Sequence, residues 1–310
     1  MNAPLAREAT VLRGRLTHDE PLAGLTSWRV GGPARRCYRP ADLDDLAAFL
    51  AGLPPGEPVF WLGLGSNVLV RDGGIPGTVI LTSGLLDGIG LAEDGTLRVE
   101  AGVACAKVAR FAARRGLTGA EFLAGIPGTL GGALAMNAGA WGGETWERVD
   151  RVETLDRAGR RRVRPRSDYA AGYRHVRGPT GEWFVAAWLR LPPGDPSQAT
   201  ARIRALLKRR AETQPLGQPS CGSVFRNPPG DFAGRLIEAC GLKGTRFGGA
   251  CVSEKHANFI VNLGGATAAD VEALLLHVQA TVEREHGVHL EPEVRVVGVA
   301  KGPAGAGQGE

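Results

Sequence analysis

A glycine-rich segment in the middle of the chain runs Gly125-Ile126-Pro127-Gly128-Thr129-Leu130-Gly131-Gly132-Ala133. Its four glycines and one proline leave several successive backbone groups without side-chain obstruction. Few turns need so many glycines for packing alone, so the segment indicates a loop that holds a phosphate-bearing ligand. Close packing against a neighbouring element is the alternative. The spacing is not that of a Walker A loop, which favours a dinucleotide over a nucleoside triphosphate.

A second glycine cluster lies upstream and reads Gly63-Leu64-Gly65-Ser66-Asn67. It follows a short apolar stretch at residues 59–62, which predicts a buried strand running into a turn. The turn is either an ordinary tight turn or an anion nest. It lacks the third glycine of a Rossmann fingerprint, and residues 68–70 look like a strand rather than a helix. Two such loops in one chain predict an extended, diphosphate-containing cofactor that is gripped at two places.

The remaining pattern mixes helices and strands and predicts an α+β fold. Predicted helices cover residues 42–50, 104–115, 201–212 and 268–286. Further strands are predicted at residues 97–100, 149–155, 183–191 and 293–298. Residues 1–18 and 299–310 are expected to be loose tails, and residues 191–196 a Pro/Gly-rich linker.

Composition excludes several classes of protein. The 310 residues carry a net charge of +5 and five cysteines without CxxC spacing, so neither a disulfide framework nor a structural zinc site is expected. No signal peptide and no apolar run of membrane-spanning length is present, which predicts a cytoplasmic protein. The basic run at residues 160–166 indicates a solvated strand edge more than a nucleic-acid surface, because no aromatic residues accompany it.

Two polar segments in the C-terminal third are candidates for chemistry. Residues 219–228 predict a turn that exposes Ser223 beside a cation and an amide, although an ordinary turn serine is the simpler interpretation. Residues 253–258 place polar side chains before an apolar stretch, as a ligand site or a solvated loop would. The six histidines are scattered and indicate no metal site.

These segments together carry a resemblance to a known family. Seven ordered blocks between residues 25 and 298 resemble the UDP-N-acetylenolpyruvoylglucosamine reductases, also called UDP-N-acetylmuramate dehydrogenases: residues 26–34, 63–70, 125–140, 173–174, 220–228, 252–262 and 291–295. The resemblance implies a two-part FAD-binding region of the PCMH/vanillyl-alcohol-oxidase type and a C-terminal α+β substrate-binding domain. The first FAD subdomain would cover residues 19–80 with the strand 291–298, the second residues 81–195, and the substrate domain residues 200–290.

The family's reaction implies the activity. NADPH reduces the flavin and leaves, the UDP-sugar binds, and N5 of the reduced flavin delivers hydride to the enolpyruvyl group. The product, UDP-N-acetylmuramate, serves peptidoglycan synthesis and hence cell shape and division. The expected partners are the UDP-sugar and NADPH, with no nucleic acid and no membrane, and the chain is expected to be a monomer.

Roles for individual residues also follow from the resemblance. Arg174 would stabilise the enolate with Glu293 as its partner, and Ser223 would donate the proton. Thirteen residues would contact FAD: Val30, Gly31, Gly32, Gly63, Gly65, Ser66, Asn67, Gly125, Ile126, Pro127, Gly128, Gly132 and Ala133. Substrate contacts would come from Arg210, Asn227 and His256. The stretch between residues 174 and 201 has no room for the tyrosine-bearing insertion of longer members, so the chain resembles the shorter type.

Two alternatives remain open at this stage. One is another FAD oxidoreductase on the same scaffold that acts on a hydroxy acid or a sugar. Many such enzymes attach flavin covalently through histidine, and neither glycine-rich segment contains one. The other is a non-enzymatic nucleotide-binding module, which would leave Arg174, Ser223 and Glu293 without a purpose.

Overall fold

The computed structural model describes residues 11–302. The helices in this range are α1 Leu43–Ala51, α2 Cys105–Arg114, α3 Leu130–Met136, α4 Pro196–Thr213, α5 Ala233–Ala239 and α6 Ala268–His286. The strands are β1 Arg15–Pro21, β2 Pro33–Arg39, β3 Val59–Leu62, β4 Val68–Val70, β5 Ile75–Leu81, β6 Ile89–Leu91, β7 Leu97–Glu100, β8 Gly139–Ala140, β9 Gly143–Glu144, β10 Val149–Asp156, β11 Arg161–Pro165, β12 Ala170–Gly172, β13 His175–Arg177, β14 Glu182–Leu189, β15 Arg246–Phe247, β16 Ala250–Val252, β17 Ile260–Asn262 and β18 Arg295–Val297. Most of the two expected tails, residues 1–10 and 303–310, lies outside the described residues.

The first sheet has the strand order β1-β2-β5-β3. β2, β5 and β3 run parallel, whereas β1 is antiparallel to β2. α1 packs on this sheet through Leu46 and Leu50. The helix begins where the sequence predicts, because the side chain of Asp42 accepts a hydrogen bond from the Asp45 N–H.

β1 corrects the expectation that residues 1–18 form a loose tail. The strand starts at Arg15 and pairs with β2 from Arg15↔Arg39 to Pro21↔Pro33. Its side chains are mostly exposed and polar, so the apolar alternation that marks a strand is missing. Backbone pairing at the sheet edge is what orders it.

The second sheet is antiparallel and has the order β11-β10-β14-β7-β6. α2, α3 and α4 cover it, and their apolar faces form one core with the sheet through residues that include Val99, Val108, Leu134, Val152 and Leu189. α3 begins within the glycine-rich segment, whose residues 130–133 form the first turn of the helix. It ends at Asn137, which adopts a left-handed backbone with φ +44°.

The third sheet, β15-β16-β17, packs against α5 and α6. α6 has the bounds that the sequence predicts, and its capping box joins Thr267 to Asp270 as expected. Trp28 connects this part to the N-terminal region, since its indole N–H donates to the Ile260 carbonyl at 2.7 Å. β18 pairs in parallel with β4 and so returns the C-terminal end of the chain to the 63–67 loop.

The start of α4 differs from the sequence-based prediction, and the structure shows what the basic run at residues 160–166 does. α4 begins at Pro196 rather than at residue 201, because Asp195 caps it and proline is well suited to the first helical position. The predicted linker, residues 191–196, loses only Pro196 to the helix. The basic run at residues 160–166 lies mainly on β11, and its arginines pair with carboxylates such as Asp156, Glu153 and Glu182. It is a paired strand edge.

Candidate functional site

The two glycine-rich segments meet in the fold. A Cβ placed on Gly63 would lie 2.6 Å from Thr129 Oγ1, and one placed on Gly128 would lie 3.4 Å from Ser66 Oγ. Side chains larger than hydrogen at Gly63 would therefore push the two loops apart. The tertiary fold joins segments that are about sixty residues apart in sequence into one surface.

Several backbone N–H groups on this surface have no acceptor among the described residues. Within residues 11–302, the amides of Leu64, Gly65, Ser66 and Asn67 donate no hydrogen bond, nor do those of Thr129 and Gly132. Gly65 is nevertheless buried. Buried amides in folded proteins are almost always paired, so these groups are suited to an anion such as a diphosphate.

The glycines of the second loop divide into two kinds. Gly125 faces the ring of Trp141, and a Cβ on Gly131 would lie 2.9 Å from the Ala101 methyl, so both are required by packing. Gly132 is different, because its nearest neighbour would be 4.0 Å away. The open side at Gly132 is where a ligand can approach the backbone. Ile126 and Pro127 belong to the loop before α3, whereas Ala133 lies in α3 and is buried in its core.

Residues 30–32 lie beside β4 and its following turn. Val30 is buried in the core shared with α6. A Cβ on Gly31 would meet Val70, and one on Gly32 would meet the Asp72 carbonyl. Close packing thus accounts for these glycines, and any contact of this segment with a cofactor would have to come from its backbone.

Arg174 and Glu293 form an ion pair at the end of the glycine-rich surface. Arg174 Nε donates to Glu293 Oε1 at 2.8 Å, and its Nη2 donates to the Gly139 carbonyl at 3.0 Å. The two side chains are only 18% and 16% exposed. The Glu293 carbonyl accepts from the Asn67 side chain at 3.1 Å, which ties the pair to the first glycine loop.

Arg174 occupies a strained position. It is the second residue of the two-residue turn between β12 and β13, and its φ is +54°. A non-glycine residue in this left-handed region costs about 1–2 kcal/mol. Such strain persists where surrounding contacts hold it, and it occurs preferentially at functional sites. The contacts to Glu293 and Gly139 are among those that hold Arg174.

Burial dominates the electrostatics of this pair. It raises the pKa of the Glu293 carboxyl, while the charges of Arg174 and Arg226 oppose that rise. Arg226 donates through Nη2 to the Arg174 carbonyl at 3.3 Å. Its Nε is buried without a hydrogen-bond partner among the described residues. The carboxyl is therefore flanked by two guanidinium groups that still have free N–H donors.

Ser223 lies on the strand-like segment next to this pair. Glu293 N–H donates to the Val224 carbonyl at 2.7 Å. On the other side, buried Asn258 holds the same segment, accepting from Phe225 N–H at 2.9 Å and donating to the Phe225 carbonyl at 2.8 Å. Ser223 is half-buried, and its hydroxyl has no hydrogen-bond partner among residues 11–302.

The three expected substrate contacts have structural partners of their own. Asn227 accepts from Ala233 N–H at 3.1 Å and so caps α5. Arg210 donates to the Gln214 side chain at 3.1 Å within the end of α4. His256 Nδ1 accepts from Asn258 N–H at 3.2 Å, and burial lowers its pKa. Within the described residues, none of the three forms a hydrogen bond with Arg174 or Glu293.

Two further polar residues belong to the site although the sequence analysis assigned them no role. Asn258 positions the Ser223 segment, and Asn137 contacts the hairpin that carries Arg174. Both are buried amides that follow or precede apolar residues. A buried asparagine needs partners for its amide, but the sequence does not reveal which backbone groups supply them.

Other kinds of site are limited by what the structure shows. Over residues 11–302, no three His, Cys, Asp or Glu side chains come together in a way that could hold a metal ion. In the same range, no helix is long and apolar enough to cross a membrane. The five cysteines are free thiols, and four of them are buried.

Comparisons with known proteins agree with this geometry. The family model described as FAD binding domain matches residues 34–163, and the one described as UDP-N-acetylenolpyruvoylglucosamine reductase, C-terminal domain, matches residues 214–297. The chain is 63% identical to the UDP-N-acetylenolpyruvoylglucosamine reductase of Alkalilimnicola ehrlichii over 96% of its own length and 99% of that relative. It is 64% identical to the enzyme of the same name from Methylococcus capsulatus, over 96% of this chain and 97% of that one.

A solved structure extends the agreement to three dimensions. The structure of UDP-N-acetylenolpyruvylglucosamine reductase from Thermus caldophilus has a TM-score of 0.79 and 36% sequence identity, covering 92% of this chain and 99% of that one. These similarities confirm the resemblance seen in the sequence and the expected α+β fold class with an FAD-binding region.

Proposed function

The chain belongs to the UDP-N-acetylenolpyruvoylglucosamine reductase family, and on that premise we propose that it reduces UDP-N-acetyl-3-O-(1-carboxyvinyl)-glucosamine to UDP-N-acetylmuramate. NADPH is the proposed electron source, as the resemblance implies. The observation that carries the proposal is the buried Arg174–Glu293 pair, which stands beside Ser223 and at the end of two joined glycine loops.

FAD fits the surface formed by the two glycine loops. The amides of residues 64–67, Thr129 and Gly132, which have no partner among the described residues, can hold its diphosphate, and the open side of Gly132 leaves room for it. The remaining proposed contacts are Gly63, Gly125–Ala133 and the backbone of Val30–Gly32. Bound FAD supplies the hydride that reduces the double bond of the substrate.

Arg174 is proposed to stabilise the charge that develops on the substrate. Hydride addition to the terminal carbon of the enolpyruvyl group places negative charge on the adjacent carbon and its carboxylate. Arg174 donates one N–H to Glu293 and one to Gly139, so three of its five N–H groups have no acceptor among the described residues. A fixed guanidinium that is already oriented stabilises such charge without further reorganisation.

Ser223 is proposed to donate the proton. Its hydroxyl has no competing hydrogen-bond partner among the described residues, and the neighbouring Val224 carbonyl accepts from the N–H of Glu293, the partner of the cation Arg174. Nearby positive charge is what allows a hydroxyl to act as an acid. Glu293, whose pKa is raised by burial, is placed to take part in returning the proton.

Arg210, Asn227 and His256 remain proposed contacts to the nucleotide part of the substrate. Neither the Arg210 fork nor the His256 ring has all of its polar atoms engaged among the described residues. Both come from the C-terminal part of the chain, which the resemblance assigns to the substrate. The proposal also keeps the reaction in the cytoplasm and the chain as a monomer, as the sequence analysis expected.

An anaerobic titration tests the function. NADPH is added to the purified holoprotein while the absorbance of the flavin is followed, and the enolpyruvyl UDP-sugar is added afterwards. Bleaching by NADPH and recovery on the sugar are expected. Bleaching without recovery would overturn the proposed substrate and favour another oxidoreductase on this scaffold. A colourless protein that releases no flavin on denaturation would overturn the flavoenzyme itself.

A further inference from the structure

Asn137 stands at the junction between the glycine-rich segment and the hairpin that carries Arg174. It ends α3 in the left-handed region with φ +44°, and it is only 2% exposed. Asparagine tolerates this backbone conformation better than most residues. The conformation alone would also be satisfied by glycine, so it does not explain the side chain.

The side chain is fully engaged with three different elements. Its Nδ2 donates to Glu144 Oε2 at 2.8 Å and to the Gly172 carbonyl at 3.0 Å. Its Oδ1 accepts from the Trp146 N–H at 3.0 Å. A buried amide with every polar atom paired is a strong constraint on the distance between the groups that it joins.

Two of the joined groups define where Arg174 lies. Gly172 is the last residue of β12 and immediately precedes the turn of Tyr173 and Arg174. Gly139, two residues after Asn137, supplies the carbonyl that accepts from Arg174 Nη2. Asn137 thus holds both the base of the turn and the acceptor for its guanidinium.

The same helix end also reaches Glu293. Asn67, which donates to the Glu293 carbonyl, contacts the sulfur of Met136 at 2.9 Å. The end of α3 therefore touches the supports of both members of the ion pair. No other described residue forms a side-chain hydrogen bond with Gly172.

We propose that Asn137 is a positioning residue that holds the strained Arg174 turn in register with Glu293, and hence with the carboxylate of the substrate. This inference rests on the proposed function. Asn137 does not touch the reacting atoms. It acts through the hairpin, so its loss slows the transfer to the sugar while leaving the flavin surface in place.

The test uses Asn137→Gly in the holoprotein, because glycine keeps the left-handed backbone without the amide. Reduction of the sugar is expected to slow by about 10- to 100-fold, since a displacement of about 1 Å at a reacting group can cost ~10²-fold. Flavin reduction by NADPH is expected to keep its rate. Hydrogen–deuterium exchange of residues 170–177 is expected to become faster.

Asn262→Ala is the matched control. Asn262 is also a buried amide with three bonds, to the Trp28 carbonyl and to the N–H groups of Gly264 and Ala266. It lies away from the hairpin, so exchange of residues 170–177 is expected to stay as in the original protein.

Asn137→Asp is the second Asn137 variant. It keeps an acceptor for Trp146 but loses both donors, and it is expected to show the same selective slowing.

Two results would overturn the proposal. One is an Asn137→Gly protein that reduces the sugar and exchanges its hairpin at the original rates. The other is slowing of both half-reactions to the same extent in the Asn137 and Asn262 variants, which would indicate general destabilisation. If the unmodified protein reduced no UDP-sugar, the proposed function would fail, and the exchange data would still decide whether Asn137 holds the hairpin.

Discussion

Arg174→Lys should separate the two half-reactions of this protein. The guanidinium donates to Glu293 Oε1 at 2.8 Å and to the Gly139 carbonyl at 3.0 Å from two different nitrogens. Lysine has one ammonium on a flexible stem and cannot reproduce this fork while also facing the substrate. The charge is preserved, so any effect reports geometry.

The size of the effect follows from the contacts. Losing one hydrogen bond to a charged group costs about 1.5–3 kcal/mol. If the loss falls on the transition state, the rate of sugar reduction drops by about 10- to 150-fold, because each 1.36 kcal/mol is tenfold. Stability should change little through the backbone, since arginine and lysine are equally strained at φ +54°.

Anaerobic stopped-flow absorbance provides the assay. Bleaching of the flavin by NADPH should keep its rate, and recovery on addition of the UDP-sugar should slow. Arg177→Lys on the same hairpin is the matched control, because Arg177 is exposed and makes no side-chain hydrogen bond within the described residues. Recovery at the original rate with an intact fold would refute the reasoning, as would equal slowing of both phases.

Three other changes test separate parts of the site. Ser223→Ala should abolish recovery of the flavin by the sugar but spare its bleaching by NADPH; stopped-flow traces that lose both phases equally would contradict the assignment of Ser223 as proton donor. Gly132→Leu should fold but purify with less flavin, because its Cβ points into open space. Gly125→Ala should instead lower the melting temperature, because its methyl would overlap the ring of Trp141. Absorbance spectra and thermal unfolding of both variants distinguish these outcomes. Glu293→Gln should make the free energy of unfolding less dependent on pH in the range above the usual glutamate pKa. Burial raises the pKa of Glu293, so the native state keeps this proton after the unfolded chain has released it, and the free energy of unfolding falls as pH rises through that interval. Urea unfolding across this range should show a smaller slope in the variant, and an unchanged slope would mean that Glu293 does not titrate in this way.

Helices and strands could be predicted from the sequence where apolar periodicity or capping residues mark them. α6 shows its apolar stripe, its capping box and its terminal glycine within one stretch, and the structure has the same bounds. β3 and β7 likewise have the predicted bounds. β1 and the first turn of α4 were missed, because an exposed edge strand has no apolar alternation and a proline at the first helical position resembles a linker.

The residues of the candidate site likewise differ in how far the sequence alone predicts their roles. The glycine segments showed that unobstructed backbone was needed, but only the fold separates Gly125 and Gly131, which serve packing, from Gly132, which faces open space. The roles of Arg174, Ser223 and Glu293 came from the family resemblance and remain proposals. Asn258 was marked only as one of the polar residues 253–258, and Asn137 was given no role of its own, since the sequence does not show which backbone groups a buried amide will meet.

The sequence by itself determined the α+β class and four of the six helices, because these depend on periodicity and capping over a few turns of chain, and its ordered motifs determined the family. Tertiary structure alone decided that Arg174 and Glu293 meet although they are 119 residues apart, with Arg174 Nε 2.8 Å from Glu293 Oε1. It also decided that the two glycine loops share one surface and that Arg174 adopts a strained backbone. Contacts between distant segments depend on how whole sheets and helices pack, and no short stretch of sequence contains that information.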